Sequence, residues 1–241
     1  MTQNPSKIAL VKNIQRLMDA YSVVEQADPG DERIVLLHGP TGTGKSTAIV
    51  HLLNDTDAIY VEASPTWTLG SMYRAIVNAI GLEPRGHNAD LEATIVDEMG
   101  KKGRPLFIDE MDYILLPGAT TGLRMLEAIR SIHDKAQMPV VMVGMDKIEE
   151  KIRLRKQLER RVFQWVRFEN LDREDVGVVA SSLCADIPFD DDWLDALFAA
   201  TKGRISYVAH NIKKARTRFR SNRWERVTLK NWGGPTFVVS R

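Results

Sequence analysis

Gly39-Pro40-Thr41-Gly42-Thr43-Gly44-Lys45-Ser46-Thr47, residues 39–47, is the stretch around which the rest of this chain can be interpreted. It matches every fixed position of the pattern G-x-x-x-x-G-K-[ST], which is typical of a phosphate-binding loop. The apolar run 34–37 before it predicts a buried strand, and residues 47–53 after it predict a helix. In that context the loop is expected to bind a nucleoside triphosphate through its backbone N–H groups and the helix N-terminus. The alternative is a turn rich in glycine and threonine that has no ligand.

Individual residues of this loop have predictable roles. The Lys45 ammonium can reach the β- and γ-phosphates, and the Ser46 hydroxyl can bind Mg²⁺. The glycines allow the backbone to turn tightly around an anion. We therefore predict that the whole segment from Gly39 to Thr47 binds the nucleotide and that Mg²⁺ accompanies it.

Length and composition limit the class of protein. The 241 residues suffice for one α/β domain and a smaller attached one, with 44% hydrophobic and 27% charged residues. A net charge of +1 implies that any basic surface must come from local clustering. The single cysteine, Cys184, excludes an internal disulfide and a cysteine-based zinc site. No apolar run approaches the roughly 20 residues that a bilayer requires, so we expect no membrane partner and a cytoplasmic location.

Strand-like and helix-like segments alternate through the first two thirds of the chain. After 34–37, strands are predicted at 58–61, 106–108, 140–143 and 163–168. This alternation predicts an α/β fold, with five parallel strands covered by helices on both faces. From Asn170 the pattern becomes helical only. The expected domains are an N-terminal helix in 1–29, an α/β domain in 30–169, a helical lid in 170–222 and a tail in 223–241 with a strand-like 236–239.

Acidic residues follow the third predicted strand directly. Asp109 would hold Mg²⁺ and Glu110 would polarise the attacking water. The alternative is an acidic pair that merely ends a strand. Asp112 is expected to make a structural hydrogen bond. Asp146, at the end of the fourth strand, could position Glu110 or the water, or could cap the next helix.

Arginine and lysine are concentrated in residues 151–161. One interpretation is a solvated helix face. The other is that Arg160 or Arg161 reaches the γ-phosphate bound by a neighbouring subunit, as an arginine finger. Because the segment lies just before the last strand, we favour the second interpretation, with Arg160 as the candidate and Arg161 as the alternative.

In this order, these features resemble the AAA+ ATPases, which combine a P-loop α/β domain with a helical lid. Within them the sequence is most similar to the transposition ATPases, meaning the phage Mu B protein and the target-selector ATPases of Tn7-like elements. Four stretches carry the likeness: Ile59-Tyr60-Val61-Glu62-Ala63, Leu106-Phe107-Ile108-Asp109-Glu110-Met111-Asp112, Val140-Val141-Met142-Val143-Gly144-Met145-Asp146 and Gln157-Leu158-Glu159-Arg160-Arg161 leading to Arg167-Phe168.

The resemblance implies a function in DNA transposition. It implies ATP and Mg²⁺ as cofactors, self-association into a helical filament or ring on double-stranded DNA, a transposase as partner, and a bacterial or phage-infected cell. By position, Asp146 resembles the sensor-one residue, Arg160 the finger and Arg204 the sensor-two arginine. Arg204 follows Gly203 immediately, whereas in many AAA+ proteins the arginine comes later in the helix.

Two surfaces are candidates for duplex DNA. By likeness, the first includes Thr66, Thr68, Arg85, His87 and Asn88; Lys101 and Lys102 are added to it as nearby cations. The second is the last lid helix with Lys213, Arg216 and Arg220, the most basic part of the chain. Binding to phosphates would be largely independent of sequence and steeply salt-dependent. The alternative for the second surface is a solvated helix face.

Other functions remain open. An AAA+ replication initiator or helicase loader would have a helicase as its partner. A phosphoryl-transfer enzyme acting on a small metabolite would not require the separate helical lid. A nucleotide-gated scaffold without turnover would not require Glu110.

Overall fold

The computed structural model describes residues 9–28, 30–115, 120–233 and 237–239. In chain order its elements are α1 (Lys12–Glu25), β1 (Ile34–His38), α2 (Lys45–Asp55), β2 (Ile59–Glu62), α3 (Leu69–Ile80), α4 (Asn88–Lys102), β3 (Leu106–Asp109), a 3₁₀ turn (Met111–Tyr113), α5 (Thr120–Ala136), β4 (Val140–Val143), α6 (Ile148–Arg153), α7 (Lys156–Glu159), β5 (Val162–Arg167), α8 (Arg173–Leu183), α9 (Asp191–Thr201), α10 (Ile205–Asn222) and α11 (Leu229–Trp232).

The five strands form one parallel sheet in the order β2-β3-β4-β1-β5. Strand β1 lies between β4 and β5, with Leu36 opposite Met142 on one side and Trp165 on the other. All five residues of β1 are buried. A parallel strand covered on both faces is mainly apolar, which explains the hydrophobic run 34–37 that precedes His38. The predicted α/β fold is confirmed, although β5 begins and ends one residue earlier than expected.

Helices pack on both faces of this sheet. On one face, Met72 of α3, Ile95 of α4 and Ile129 of α5 belong to the same buried cluster as side chains of β1 to β4. On the other face, the Tyr21 ring of α1 meets the Phe107 ring of β3 edge-on, with centroids 5.9 Å apart. The N-terminal helix therefore covers the sheet. It begins at Lys12, and the part of its predicted range before residue 9 lies outside the described residues.

Contacts divide the chain into two compact units. One contains the described residues of Arg16–Thr41 and Ala48–Arg167, which include the sheet. The other contains those of Met1–Gln15, Gly42–Thr47 and Phe168–Arg241. The domain boundaries drawn from the sequence stay a prediction.

The second unit is helical. Asp172 caps α8 as predicted, because its carboxylate accepts a hydrogen bond from the Asp175 N–H at 2.9 Å. Asp190 occupies the N-cap position of α9 without a capping side-chain bond, and its carboxylate instead pairs with Arg226 at 2.7 Å. At Gly203, where φ is +70°, the carbonyl oxygen accepts the Leu171 N–H at 2.8 Å. This bond joins the segment before α8 to the turn before α10.

The tail differs from expectation. Residues 229–232 form the short helix α11, and 237–239 form no strand; Thr236 lies outside the described residues. The Phe237 ring packs on Trp193 and Trp232, with centroids 5.5 and 5.7 Å away. Buried Asn211 accepts the Val238 N–H at 2.8 Å and donates to the Val238 carbonyl at 2.9 Å. A side chain thus supplies the hydrogen bonds that a neighbouring strand would have supplied.

Candidate functional site

The phosphate loop leaves the sheet at the carboxyl end of β1. Strands β3 and β4 end at the same edge, because β1, β4 and β3 are successive parallel neighbours. In open parallel sheets this edge is where ligands bind. Lys45 and Ser46 are the first two residues of α2. The first-turn N–H groups of a helix have no intrahelical acceptor and favour an anion there.

The acidic segment after β3 is held in a defined conformation. One carboxylate oxygen of Asp109 accepts the Glu110 N–H at 2.7 Å, and the other accepts the Tyr60 hydroxyl at 3.3 Å. Burial, followed by the charges of Asp109 and Glu62, raises the pKa of Tyr60 to about 12, so the phenol stays a donor. Glu110 has φ 54° and ψ 37°, a left-handed conformation that costs a non-glycine residue free energy. The predicted catalytic glutamate therefore has a strained backbone.

Asp112 links this segment to the end of β4. Its carboxylate accepts the Met145 N–H at 2.5 Å and lies 3.5 Å from the Lys151 ammonium. The structural hydrogen bond expected of Asp112 is present. A Cβ added at Gly144 would lie 2.4 Å from Ile148 Cδ1 and 2.9 Å from Asp112 Oδ2, so both side chains would have to shift.

Asp146 lies just beyond β4 and is half-exposed. Its carboxylate pairs with Arg167, at the end of β5, at 3.3 Å. Lys147, rather than Asp146, occupies the N-cap position of α6, so the capping alternative is wrong. The sensor role of Asp146 stays a prediction.

His38 is a buried polar residue directly before the phosphate loop. Its Nε2 lies 3.3 Å from the Glu149 carboxylate, and its side chain is only 2% exposed. Burial, assisted by the charge of Arg167, lowers the pKa of His38, although Glu149 and Asp146 oppose the shift. The imidazole is therefore neutral at physiological pH.

The two candidate finger arginines have different surroundings. Arg161 donates to Glu32 at 2.7 Å and lies 3.4 Å from Asp134. Arg160 follows α7, is exposed, and makes no side-chain hydrogen bond or ion pair with any residue of the described chain. Only Arg160 is thus available to another molecule without breaking an ion pair.

Arg204 occupies the N-cap position of α10, where its side chain makes no capping hydrogen bond. Its guanidinium carbon lies 5.8 Å from the centre of the Tyr207 ring. Ile205 and Ser206 follow it and lie beside Gly44 and Gly42 of the phosphate loop, within the same unit. The role predicted for Arg204 stays a prediction.

The first DNA candidates lie on α3, α4 and the segments before them. Thr68 caps α3, and the Thr66 and Ser64 hydroxyls lie 2.9 Å apart. His87 precedes α4, which begins at Asn88. The cations of this set are all paired, in Arg85–Glu83 at 2.6 Å, Lys101–Asp97 at 2.8 Å and Lys102–Glu98 at 2.6 Å. These acids reduce the local positive potential.

Helix α10 has five Lys and Arg residues and no Asp or Glu. At about 100° per residue, Lys213, Arg216 and Arg220 share one face. Lys214 and Arg218 lie on another, where they approach the Trp232 ring to 5.8 and 4.4 Å. On the first face, only Arg220 has an ion pair with a described residue, Asp186 at 3.3 Å. A basic stripe of Lys213, Arg216 and Arg220 is therefore presented to solvent.

Sequence reasoning missed His38, Tyr60 and Ser206. A polar residue ending an otherwise apolar central strand was a usable signal for His38. Tyr60 meets Asp109 only because β2 and β3 are neighbours in the sheet. The position of Ser206 beside the loop depends on tertiary packing and has no local signal.

Comparison with known families and proteins gives a consistent result. A family model described as "AAA domain" matches residues 27–152, more than half of the chain. The replication factor C large subunit of Pyrococcus horikoshii is 27% identical over 180 residues, which are 71% of this chain and 32% of that protein. The same subunit of Thermococcus kodakarensis is 26% identical over 144 residues, 57% of this chain and 25% of that protein. The chain thus spans only a third or less of these relatives.

Solved structures share the fold at lower identity. The Aeropyrum pernix ORC2 protein, solved as ADPNP–ADP complexes, superposes with a TM-score of 0.72 and 13% identity, over 95% of this chain and 68% of that one. The Aeropyrum pernix ORC1 protein in complex with DNA gives 0.60 and 20%, over 90% and 61%. Among the described residues, no helix is long and apolar enough to cross a membrane.

Proposed function

This chain belongs to the AAA domain family, and from that premise we propose that it is a DNA-binding ATPase of the replication-initiator or loader type. Nucleotide binding and ATPase activity follow from the family. Binding to DNA and a role in replication are the parts that we propose. The observation that carries them is the alignment of 71% of the chain with a protein named for replication.

In the proposed chemistry, Gly39 to Thr47 bind the triphosphate and Lys45 neutralises the β- and γ-phosphates. The Ser46 hydroxyl and the Asp109 carboxylate are hard oxygen donors of the kind that Mg²⁺ prefers. Among the described residues, no three His, Cys, Asp or Glu side chains are grouped as a metal site. When bound, Mg²⁺ would neutralise charge on the phosphates. Glu110 orients and polarises the attacking water, and Asp146 supports that alignment.

Self-association is the second proposed component. An exposed Arg160 without an intramolecular acid has the chemistry to approach the γ-phosphate of an adjacent copy. Such an arginine stabilises the charge that develops during phosphoryl transfer. Hydrolysis would then depend on assembly of the protein.

DNA is proposed to bind along the basic stripe of α10. A cation without an acidic partner releases counterions from DNA when it binds a phosphate. A cation that is already paired with a carboxylate contributes less to the binding free energy in this way. For that reason Lys213 and Arg216 are better candidates than Lys101 and Lys102. Contacts of this type read phosphates and not base sequence.

Fluorescence anisotropy with a labelled duplex and a non-hydrolysable ATP analogue tests this proposal at several salt concentrations. Each phosphate contact contributes about 0.9 to the slope of log K against log salt concentration. Arg216→Gln should lower that slope by about one, whereas Lys214→Gln, on the other face of α10, should leave it nearly unchanged. Absence of ATP-dependent duplex binding would refute the proposal. A loss of slope in Lys101→Gln and not in Arg216→Gln would assign the DNA to α4.

Regulation of transposition is the second candidate function. It is supported by the four stretches that resemble transposition ATPases, including Ile59–Ala63 and Val140–Asp146. Both candidates share the nucleotide and DNA chemistry and differ in the partner protein. Stimulation of ATP hydrolysis by a transposase, and not by a replicative helicase, would favour transposition.

A further inference from the structure

The first turn of α10 packs against the phosphate loop. A Cβ atom added at Gly42 would lie 3.3 Å from the Ser206 hydroxyl oxygen, and one added at Gly44 would lie 3.5 Å from the Ile205 side chain. Both glycines have positive φ, 82° and 94°. The close approach thus occurs where the loop backbone adopts a conformation that side chains disfavour.

The polar group that α10 presents to the loop is a hydroxyl. Ser206 is exposed, and its hydroxyl has no hydrogen-bond partner among the described residues. The Arg204 guanidinium, by contrast, lies beside the Tyr207 ring. Ile205 and Ser206 are also in the first turn, where the N–H groups lack intrahelical acceptors. One hydroxyl and the start of an 18-residue helix therefore adjoin the loop.

We propose that Ser206 is a phosphate-binding residue of the nucleotide site and that α10 contacts the nucleotide through this neutral hydroxyl. The inference rests on the proposed nucleotide chemistry of the loop. A hydroxyl can donate to a phosphate oxygen, and a hydrogen bond to a charged acceptor is stronger than a neutral one.

Equilibrium binding of fluorescent ATP and ADP analogues to the full chain tests the proposal. We expect Ser206→Ala to weaken ATP binding about tenfold, the value typical of losing one charge-assisted hydrogen bond. Ser206→Thr, which keeps the hydroxyl, should restore binding to within about twofold of wild type. Ser221→Ala, at the far end of the same helix, is the matched control.

A structural role of Ser206 is separated by thermal unfolding. The melting temperature without nucleotide should be the same in wild type and Ser206→Ala, and only the increase caused by ATP should be smaller in the variant. Wild-type affinity in Ser206→Ala, or a loss in Ser206→Thr as large as in Ser206→Ala, would overturn the proposal. Failure of the wild-type chain to bind either analogue would refute the nucleotide site itself, and this inference with it.

Discussion

Gly203→Ala is expected to destabilise the helical unit. Gly203 has φ +70°, and an added Cβ would overlap the carbonyl oxygen of Leu171, a backbone atom that cannot rotate away. A left-handed conformation costs an alanine about 1–2 kcal/mol. Overpacking typically adds about 1–3 kcal/mol. Loss of the bond between the Gly203 carbonyl and the Leu171 N–H adds about 1 kcal/mol.

Gly233→Ala is the control in the same unit, because Gly233 has φ +80° and no atom of the described residues lies within 4 Å of an added Cβ. Gly233→Ala should lose only the free energy that the left-handed conformation costs an alanine. The free energy of unfolding should therefore be about 3 kcal/mol lower in Gly203→Ala than in the control. For a chain of this length, that difference corresponds to a melting temperature about 6–12 °C lower. Calorimetry of both variants measures it. Equal melting temperatures would show that the Leu171 segment moves freely and would refute the reasoning.

Three further outcomes are expected. Glu110→Gln should retain ATP affinity but lower turnover by at least about a hundredfold, since general-base catalysis contributes about 10²–10⁴; turnover at the wild-type rate would remove Glu110 from that role. Arg160→Ala should lower the ATPase rate without changing the melting temperature. Arg161→Ala should lower the melting temperature, because Arg161 pairs with Glu32 and Asp134, whereas Arg160 has no acidic partner among the described residues. Mixed with wild-type subunits, Arg160→Ala should also depress their rate, and no depression would exclude action in trans. The pKa of His38 is lowered in the folded state, so the unfolded chain binds more protons than the folded chain below about pH 6.5. The free energy of unfolding should therefore fall on acidification by up to about 1.4 kcal/mol per pH unit. His38→Asn should reduce this dependence of stability on pH, and an unchanged pH profile of stability would assign it to other groups.

The sequence predicted what local patterns determine. The apolar run before Gly39 and the alternation of strands and helices led to the parallel sheet. Asp109 was placed at the end of β3 for the same reason. These features depend on periodicity within one element and are readable without tertiary information.

Features that depend on tertiary contacts were harder to predict from the sequence. The charged segment 147–161 reads as continuous, yet Leu154 and Arg155 separate α6 from α7, and the Arg155 guanidinium donates to the Lys151 carbonyl at 2.5 Å. The tail reads as a strand by composition, but Asn211 satisfies its backbone. In both cases a side-chain bond to the backbone replaced the expected pairing.

The left-handed backbone at Glu110 lowers the stability of the folded chain at a residue that is proposed to be needed for turnover. Asparagine adopts that conformation at lower cost than glutamate. A library selected only for survival at high temperature should therefore tend to lose the glutamate, while one selected for growth that requires the ATPase should keep it. Sequencing position 110 after both selections would show whether glutamate is kept, despite the free-energy cost of its backbone conformation, because ATP hydrolysis requires it.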